Sequence, residues 1–209
     1  MLAVSEHVIV IGNIGSGKTT AVRALGAALG ADVHEEQFDR NPYLERFYAD
    51  PVRWAGLNQL WFLAEVAGQH RAIAASGAPA VQEQCVYSVF EVMTGYLADT
   101  GAIGDDDLAL IQRHHDVLAA ALPPPACVVR LQASTGALLD RIAERGRDFE
   151  RSIDARDLDA IEARLAGFER SWARSPLIEV DTDATDPRQP DHAERLAHTV
   201  RAALDTDPG

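Results

Sequence analysis

The stretch VIVIGNIGSGKTT, residues 8–20, limits what this chain can fold into more than any other part of it. His7 to Ile11 is a short β-branched run, the pattern of a buried strand. Lys18 to Leu29 carries Val22, Leu25 and Leu29 at helical spacing. Between them, Gly12, Gly17, Lys18 and Thr19 match G-x-x-x-x-G-K-[ST] in the strand–turn–helix setting that gives the pattern its meaning. Glycines let backbone N–H groups turn inward around a phosphate, and the helix start adds unpaired N–H groups and a positive dipole end. Gly12, Asn13, Ile14, Gly15, Ser16, Gly17, Lys18, Thr19 and Thr20 are therefore the expected cradle of a nucleoside triphosphate. Lys18 is placed to reach the outer phosphates, and the Thr19 hydroxyl to ligate Mg²⁺.

The rest of the chain alternates strand and helix patterns, as in a parallel sheet covered on both faces. Further strands are expected in ADVHEE (31–36), APAVQEQ (78–84), Cys127–Leu131 and PLIEVDT (176–182). Helices are expected in NPYLERFYADP (41–51), over 52–75, 86–99 and 105–122, after a Ser134 cap, and over 154–173 and 190–204. In the long helix Trp54, Leu57, Leu60, Trp61 and Ala64 read as the apolar face. The expectation is a single five-stranded α/β domain over residues 1–209, with a frayed tail at 205–209.

Composition excludes several function classes. The formal net charge of −13 disfavours extended nucleic-acid binding, which needs a basic face. There is no apolar run of membrane-spanning length, and MLAVSEH lacks the basic start and apolar core of a signal peptide. Cys85 and Cys127 lack metal-ligand spacing and read as reduced thiols of a cytoplasmic protein. His114 and His115 are adjacent on a helix, point in different directions, and read as surface or interface residues rather than a metal pair.

In open α/β sheets ligands sit beyond the carboxyl ends of the strands. The second strand delivers Glu35 and Glu36 there, and the third delivers Glu83. A carboxylate beside a phosphate cradle can hold Mg²⁺ or take a proton from an attacking hydroxyl; Glu35 reads equally well as a solvated loop charge. Thr19 and Glu83 are the expected metal ligands. In LLDRIAERGRDFERS, Arg141 and Arg145 share a helix face and Gly146 frees Arg147 onto a loop. These arginines, with Arg151, either pair internally with Glu144, Asp148 and Glu150 or form a lid over 141–152 that bears charge on a moving phosphoryl group.

GNIGSGKTT, EEQFDRNPYLERFYADPVRWAGLNQLWFL, EQCVYS and DRIAERGRDFE together resemble the P-loop deoxyribonucleoside kinases, the family of deoxycytidine, deoxyguanosine and deoxyadenosine kinases. The resemblance covers nearly the whole chain. It implies a P-loop kinase architecture and ATP-dependent phosphorylation of a nucleoside 5′-hydroxyl, with Glu36 as base and Lys18, Glu83, Arg141 and Arg145 in the catalytic group. It implies that Arg141, Arg145 and Arg147 close on the donor, that Tyr48 and Glu150 meet the sugar 3′-hydroxyl, and that Gln59 pairs with the nucleobase. It implies Mg²⁺, a small nucleoside partner, and a homodimer packed through residues 52–75 and 86–121.

The chain departs from the family pattern at the acceptor side. Glu83-Gln84-Cys85 stands where the family has Asp/Glu-Arg-Ser. Val66 and Val89 replace an arginine–aspartate pair that reads the base, and replacing both avoids a stranded charge. Phe62 is bulky where thymidine-accepting members are small. Asn58 stands where the family stacks an apolar residue on the base; among the substrate-side residues it either turns to solvent, the favoured reading, or adds a hydrogen bond to an unusual base. Two alternatives remain at this point: a kinase for a nucleoside monophosphate or other small metabolite, and a nucleotide-binding regulator with decayed catalysis.

Overall fold

The computed structural model describes residues 6–205. Five strands run parallel in the order β2-β3-β1-β4-β5: β1 (His7–Gly12), β2 (Asp32–His34), β3 (Ala80–Glu83), β4 (Cys127–Gln132) and β5 (Leu177–Asp181). β1 is buried along its whole length, as its unbroken apolar run predicts for a central parallel strand. Ile9 and Ile11 face the cluster holding Leu63, Val86 and Leu165, while Val8 and Val10 face the one holding Val22, Leu25 and Val200. Alternation along one strand thus supplies both cores.

The helices follow in chain order: α1 (Lys18–Leu29), α2 (Leu44–Ala49), α3 (Pro51–Ser76), α4 (Val86–Ser88), α5 (Gly95–Asp99), α6 (Asp105–Ala120), α7 (Thr135–Arg145), α8 (Ala155–Ser171) and α9 (Pro190–Asp205). Local signals account for their ends. Asp50 caps α3 ahead of Pro51, Ser134 caps α7 by accepting from the Ala137 N–H, and Asp154 caps α8 in a reciprocal box with Asp157. Gly146 ends α7 in a left-handed conformation, φ 65°, and turns the chain into the arginine loop. Glycine takes that conformation without the clash a β-carbon would bring.

Several expectations need correction. β2 stops at His34, so Glu35 and Glu36 lie on the turn beyond it rather than on the strand. Residues 86–99 are not one regular helix: a π turn at Val89–Thr94 separates α4 from α5. Arg164 of α8 donates to the Glu91 carbonyl within that turn, and it passes so close to Gly95 that a β-carbon there would collide with its guanidinium.

The apolar face assigned to α3 is offset from the buried one: Trp54, Leu60 and Trp61 are half-buried, with Leu60 packed on the core. Ala55, Asn58, Gln59, Leu63, Val66, Ala67, His70 and Ile73 are buried, while Ala64 is exposed and Leu57 is 45% exposed. His115 is buried, stacked on Phe90 at 4.5 Å and edge-on to Tyr87, and only His114 is at the surface. Asp205 closes α9; the rest of the tail expected to fray, residues 206–209, lies outside the described residues.

Candidate active site

β1 delivers the glycine turn at the carboxyl edge of the sheet. A β-carbon on Gly12 would lie 2.6 Å from Ser16 Oγ and 2.9 Å from the Leu131 carbonyl, so only glycine fits. Gly15, at φ 79°, would bring a β-carbon within 2.9 Å of the Leu138 carbonyl. Gly17, at φ 90°, caps α1 without a side chain and leaves the first N–H groups of the helix for a ligand. Lys18 Nζ donates to the Gly12 and Asn13 carbonyls at 3.2 and 3.0 Å, lying across the turn. Asn13 and Ser16 are buried rather than presented to a ligand by their side chains. Asn13 Nδ2 donates to the Leu158 carbonyl at 2.8 Å and to Glu162 Oε2 at 3.3 Å, which fixes the turn to α8. Arg130 of β4, itself buried, pairs with Glu162 and Glu169 of the same helix.

The two expected carboxylates meet this turn. Glu83, buried at the end of β3, accepts from Thr19 Oγ1 at 3.0 Å and from the Glu36 backbone N–H at 3.4 Å. Burial and the neighbouring Glu83 push the Glu36 carboxyl up from 4.5 to about 7, against the pull of Lys18, Arg147 and Arg145. Glu35 goes elsewhere and forms a surface pair with Arg23 at 2.5 and 2.7 Å.

One cavity joins these groups. Gly12, Ile14, Gly15, Lys18 and Thr19 line one end; Asn58, Gln59, Phe62, Gln84 and Val89 line the other; Glu36 and Glu83 lie between. Asn58 is not turned to solvent: it is 2% exposed and accepts from Asn41 Nδ2 at 2.8 Å. Gln84 is the only non-glycine residue with positive φ among the described residues, at 66°, and its Oε1 accepts from Ser88 Oγ at 2.9 Å. Val66 does not line the cavity; it sits in the core with its carbonyl accepting from Gln82 Nε2.

The arginines separate. Arg145 and Arg147 reach the cavity and pair with Glu150, which is 5% exposed, at 2.5 and 3.3 Å. Arg141 does not line the cavity: it donates to Thr182 Oγ1 and the Thr182 carbonyl at 2.9 and 2.8 Å, and reaches Asp183 at 3.4 Å. The shared helix face predicted for Arg141 and Arg145 is overridden by their partners, one past β5 and the other past α7. Arg151 pairs with Asp148 at the surface. Tyr48 packs on Phe149 at 5.2 Å, and burial together with Glu150 raises its phenol well above the usual range.

The cavity also uses residues the sequence did not single out: Phe38, Leu44, Phe47, Met93 and Phe149. Phe38 carries the Arg147 guanidinium over its ring, 3.7 Å from the centroid. A cation over an aromatic face is held by the ring quadrupole. Thr94 holds Gln59, its Oγ1 lying 3.2 Å from Gln59 Oε1 and 3.0 Å from the Val89 carbonyl. Phe149 stands between Arg147 and Glu150 in the chain, a position that could have drawn notice; the π turn that carries Met93 and Thr94 leaves no compositional signal.

Residues 8–205 match the family model described as deoxynucleoside kinase. The chain belongs to the deoxynucleoside kinase family. It is thus a transferase that phosphorylates a hydroxyl group, built on a P-loop kinase fold. Deoxyadenosine/deoxycytidine kinase of Bacillus subtilis (strain 168) is 27% identical over 181 residues, which cover 86% of this chain and 83% of that enzyme. Deoxyadenosine kinase of Dictyostelium discoideum is 28% identical over 204 residues, covering 96% and 80%. A solved structure of deoxyadenosine kinase from M. mycoides, with dCMP and a flexible dCDP bound as products, shares the fold: TM-score 0.80 at 20% identity, covering 94% of this chain and 99% of that one.

Proposed function

We propose that this family member transfers the γ-phosphoryl group of ATP to the 5′-hydroxyl of a deoxyribonucleoside, giving the 5′-monophosphate and ADP. The observation that carries the reading is the meeting of Glu36 and Glu83 with the glycine turn in one cavity. Glu36, lifted toward neutrality, takes the hydroxyl proton as the oxygen attacks the γ-phosphorus and the bond to the β-phosphate oxygen breaks. Lys18 and the turn hold the donor, and Arg145 and Arg147 face the charge that spreads over the phosphoryl oxygens. The oxygen donors Thr19 Oγ1 and Glu83 fit Mg²⁺, a hard cation, which when bound would neutralise phosphate charge. Tyr48 and Glu150 line the side where a sugar 3′-hydroxyl would lie.

Gln84 brings no charge where the family arginine stands, which favours the decayed-catalysis alternative. Arg145 and Arg147 line the same cavity, and positive charge kept there supports an active enzyme. Incubating labelled ATP and Mg²⁺ with a panel of nucleosides and nucleoside monophosphates separates the possibilities. Labelled monophosphate is the expected product. Transfer only to monophosphates, or to nothing, overturns the reading.

A homodimer packed through residues 52–75 and 86–121 is part of the same reading. Leu57 on α3 and Leu110 and Val117 on α6 are large apolar side chains left exposed, by 45%, 48% and 72%. Apolar residues grouped at the surface of two packed helices favour a covering partner. Light scattering at twice the monomer mass is the expected result. No described helix is long and apolar enough to cross a membrane, and the free thiols of Cys85 and Cys127 fit a reducing cytoplasm.

A further inference from the structure

Asn58 and Gln59 are consecutive amides on α3, and both line the cavity. An amide offers an oxygen that accepts and a nitrogen that donates, and its neighbours decide which of the two a ligand meets. For Asn58 the neighbours form a relay whose root can only donate. The Tyr43 backbone N–H donates to Asn41 Oδ1 at 2.9 Å. With its oxygen held there, Asn41 turns Nδ2 toward α3 and donates to Asn58 Oδ1 at 2.8 Å. The Asn58 oxygen is thereby engaged. Among the described residues Asn58 Nδ2 makes no hydrogen bond, which leaves the nitrogen to serve the cavity.

Gln59 has no such root. Its Oε1 lies 3.2 Å from Thr94 Oγ1, whose single hydrogen has a second acceptor in the Val89 carbonyl at 3.0 Å. A hydroxyl can donate to the Gln59 oxygen, or donate to Val89 and accept from the Gln59 nitrogen. One amide is locked and its neighbour is reversible.

We propose that Asn58 determines base specificity by presenting a fixed hydrogen-bond donor to the nucleobase, with Asn41 as the positioning residue that fixes it. This rests on the reading of the cavity as a nucleoside site. The selected base carries an acceptor opposite Asn58, a ring nitrogen or a carbonyl oxygen. A base with C–H or N–H at that place leaves a buried donor unpaired. Gln59 adapts to the amino or oxo group beside it, so discrimination falls on the position Asn58 reads.

The test measures kcat and KM for the wild type, Asn58→Leu and Asn41→Asp. The substrates are deoxyribonucleosides in which each ring nitrogen is replaced by C–H, and each base carbonyl removed, in turn. In Asn41→Asp the new carboxylate would still accept from the Tyr43 N–H but has no hydrogen to give. Asn58 must then turn its nitrogen to that carboxylate and its oxygen to the cavity. In the wild type, loss of one particular acceptor is expected to lower kcat/KM by about 10- to 100-fold, carried by KM. That penalty disappears in Asn58→Leu and disappears or reverses in Asn41→Asp, a change of ranking that a merely structural defect does not produce. Should both variants lose activity equally on every nucleoside, with the wild-type ranking intact, the proposal is overturned. The same holds if no single acceptor matters to the wild type. If the wild type phosphorylates no nucleoside at all, the functional reading itself falls and takes this inference with it.

Discussion

The two ends of the cavity are built differently. The end proposed to hold phosphate is made of backbone: a glycine turn too tight for β-carbons at Gly12 and Gly15, the start of α1, and one lysine laid across carbonyls. The end proposed to hold the nucleoside is made of side chains held by other side chains, with Asn41 behind Asn58, Thr94 behind Gln59 and Ser88 behind Gln84. Backbone shape has few solutions and tolerates little change. Side-chain relays admit substitution one member at a time, so affinity for phosphate and choice of base can diverge separately.

The largest effects are expected where the two ends meet. Glu36→Gln should lower kcat by about 10²- to 10⁴-fold with KM little changed. In the wild type kcat/KM should rise through about pH 7 as Glu36 loses its proton, and the variant should lack that limb. Steady-state rates on either side of neutrality decide it, and retention of near-wild-type turnover would remove Glu36 as base. Stability should move the other way. A carboxyl whose folded pKa lies above its unfolded one stabilises the fold below the unfolded value, and that contribution is lost as pH rises through about 7. Glu36→Gln should therefore melt higher than the wild type in mildly alkaline buffer but not in acid below the unfolded carboxyl range.

Gly15→Ala tests the backbone-built end. Gly15 has a left-handed φ, and a β-carbon there would approach the Leu138 carbonyl to 2.9 Å. The expected loss is about 1–3 kcal/mol in ligand-free unfolding, with ATP affinity reduced alongside. Denaturant titration without nucleotide gives the first quantity. A neutral result would mean that the turn relaxes freely and that the contrast with the relay end is overdrawn.

A smaller effect is expected at the other end of β1, away from both. His7 and His70 are buried with their rings 4.4 Å apart. Burial holds both imidazoles neutral, with His7 lowered to about 3, aided by His70, and His70 to about 4. A histidine whose folded pKa is depressed contributes stability above its unfolded value of about 6.5, and that is lost as pH falls. In the Glu36→Gln background, which removes the opposing carboxyl contribution, unfolding free energy should drop by about 1–2 kcal/mol between about pH 7 and about pH 5, and His70→Gln should flatten the slope. Thr94→Val, which removes the hydroxyl behind Gln59, should have the smallest effect: KM for the nucleoside raised about 3- to 10-fold, kcat and KM for ATP unchanged. Equal damage at both substrates would show that the ends are not separable.

The same division explains what could be read from the sequence. The glycine turn and Glu83 were legible as neighbours because they stand at a motif and a strand end that chain connectivity fixes in space, and Glu36 because it comes two residues after the end of β2. The face of α3 was misread because a helix lining a ligand cavity turns polar residues inward. Asn58 and Gln59 are buried there while Leu57 is left outside, which inverts the usual pattern. Arg141 could not be separated from Arg145 by spacing, because long side chains follow their partners, here Thr182 and Glu150. Thr94 was invisible because its position depends on a π turn, a register with no compositional mark.

Gln84 makes the division concrete within a single residue. Its left-handed backbone is one that glycine adopts without strain, yet a long amide stands there, anchored on Ser88 and facing the cavity. A lineage under pressure only for heat resistance would drift toward glycine at this place, shedding torsional strain and the pocket wall together. A lineage in which the amide meets a ligand would hold the strained form, so the residue found at 84 in a collection of descendants reports whether that wall is in use.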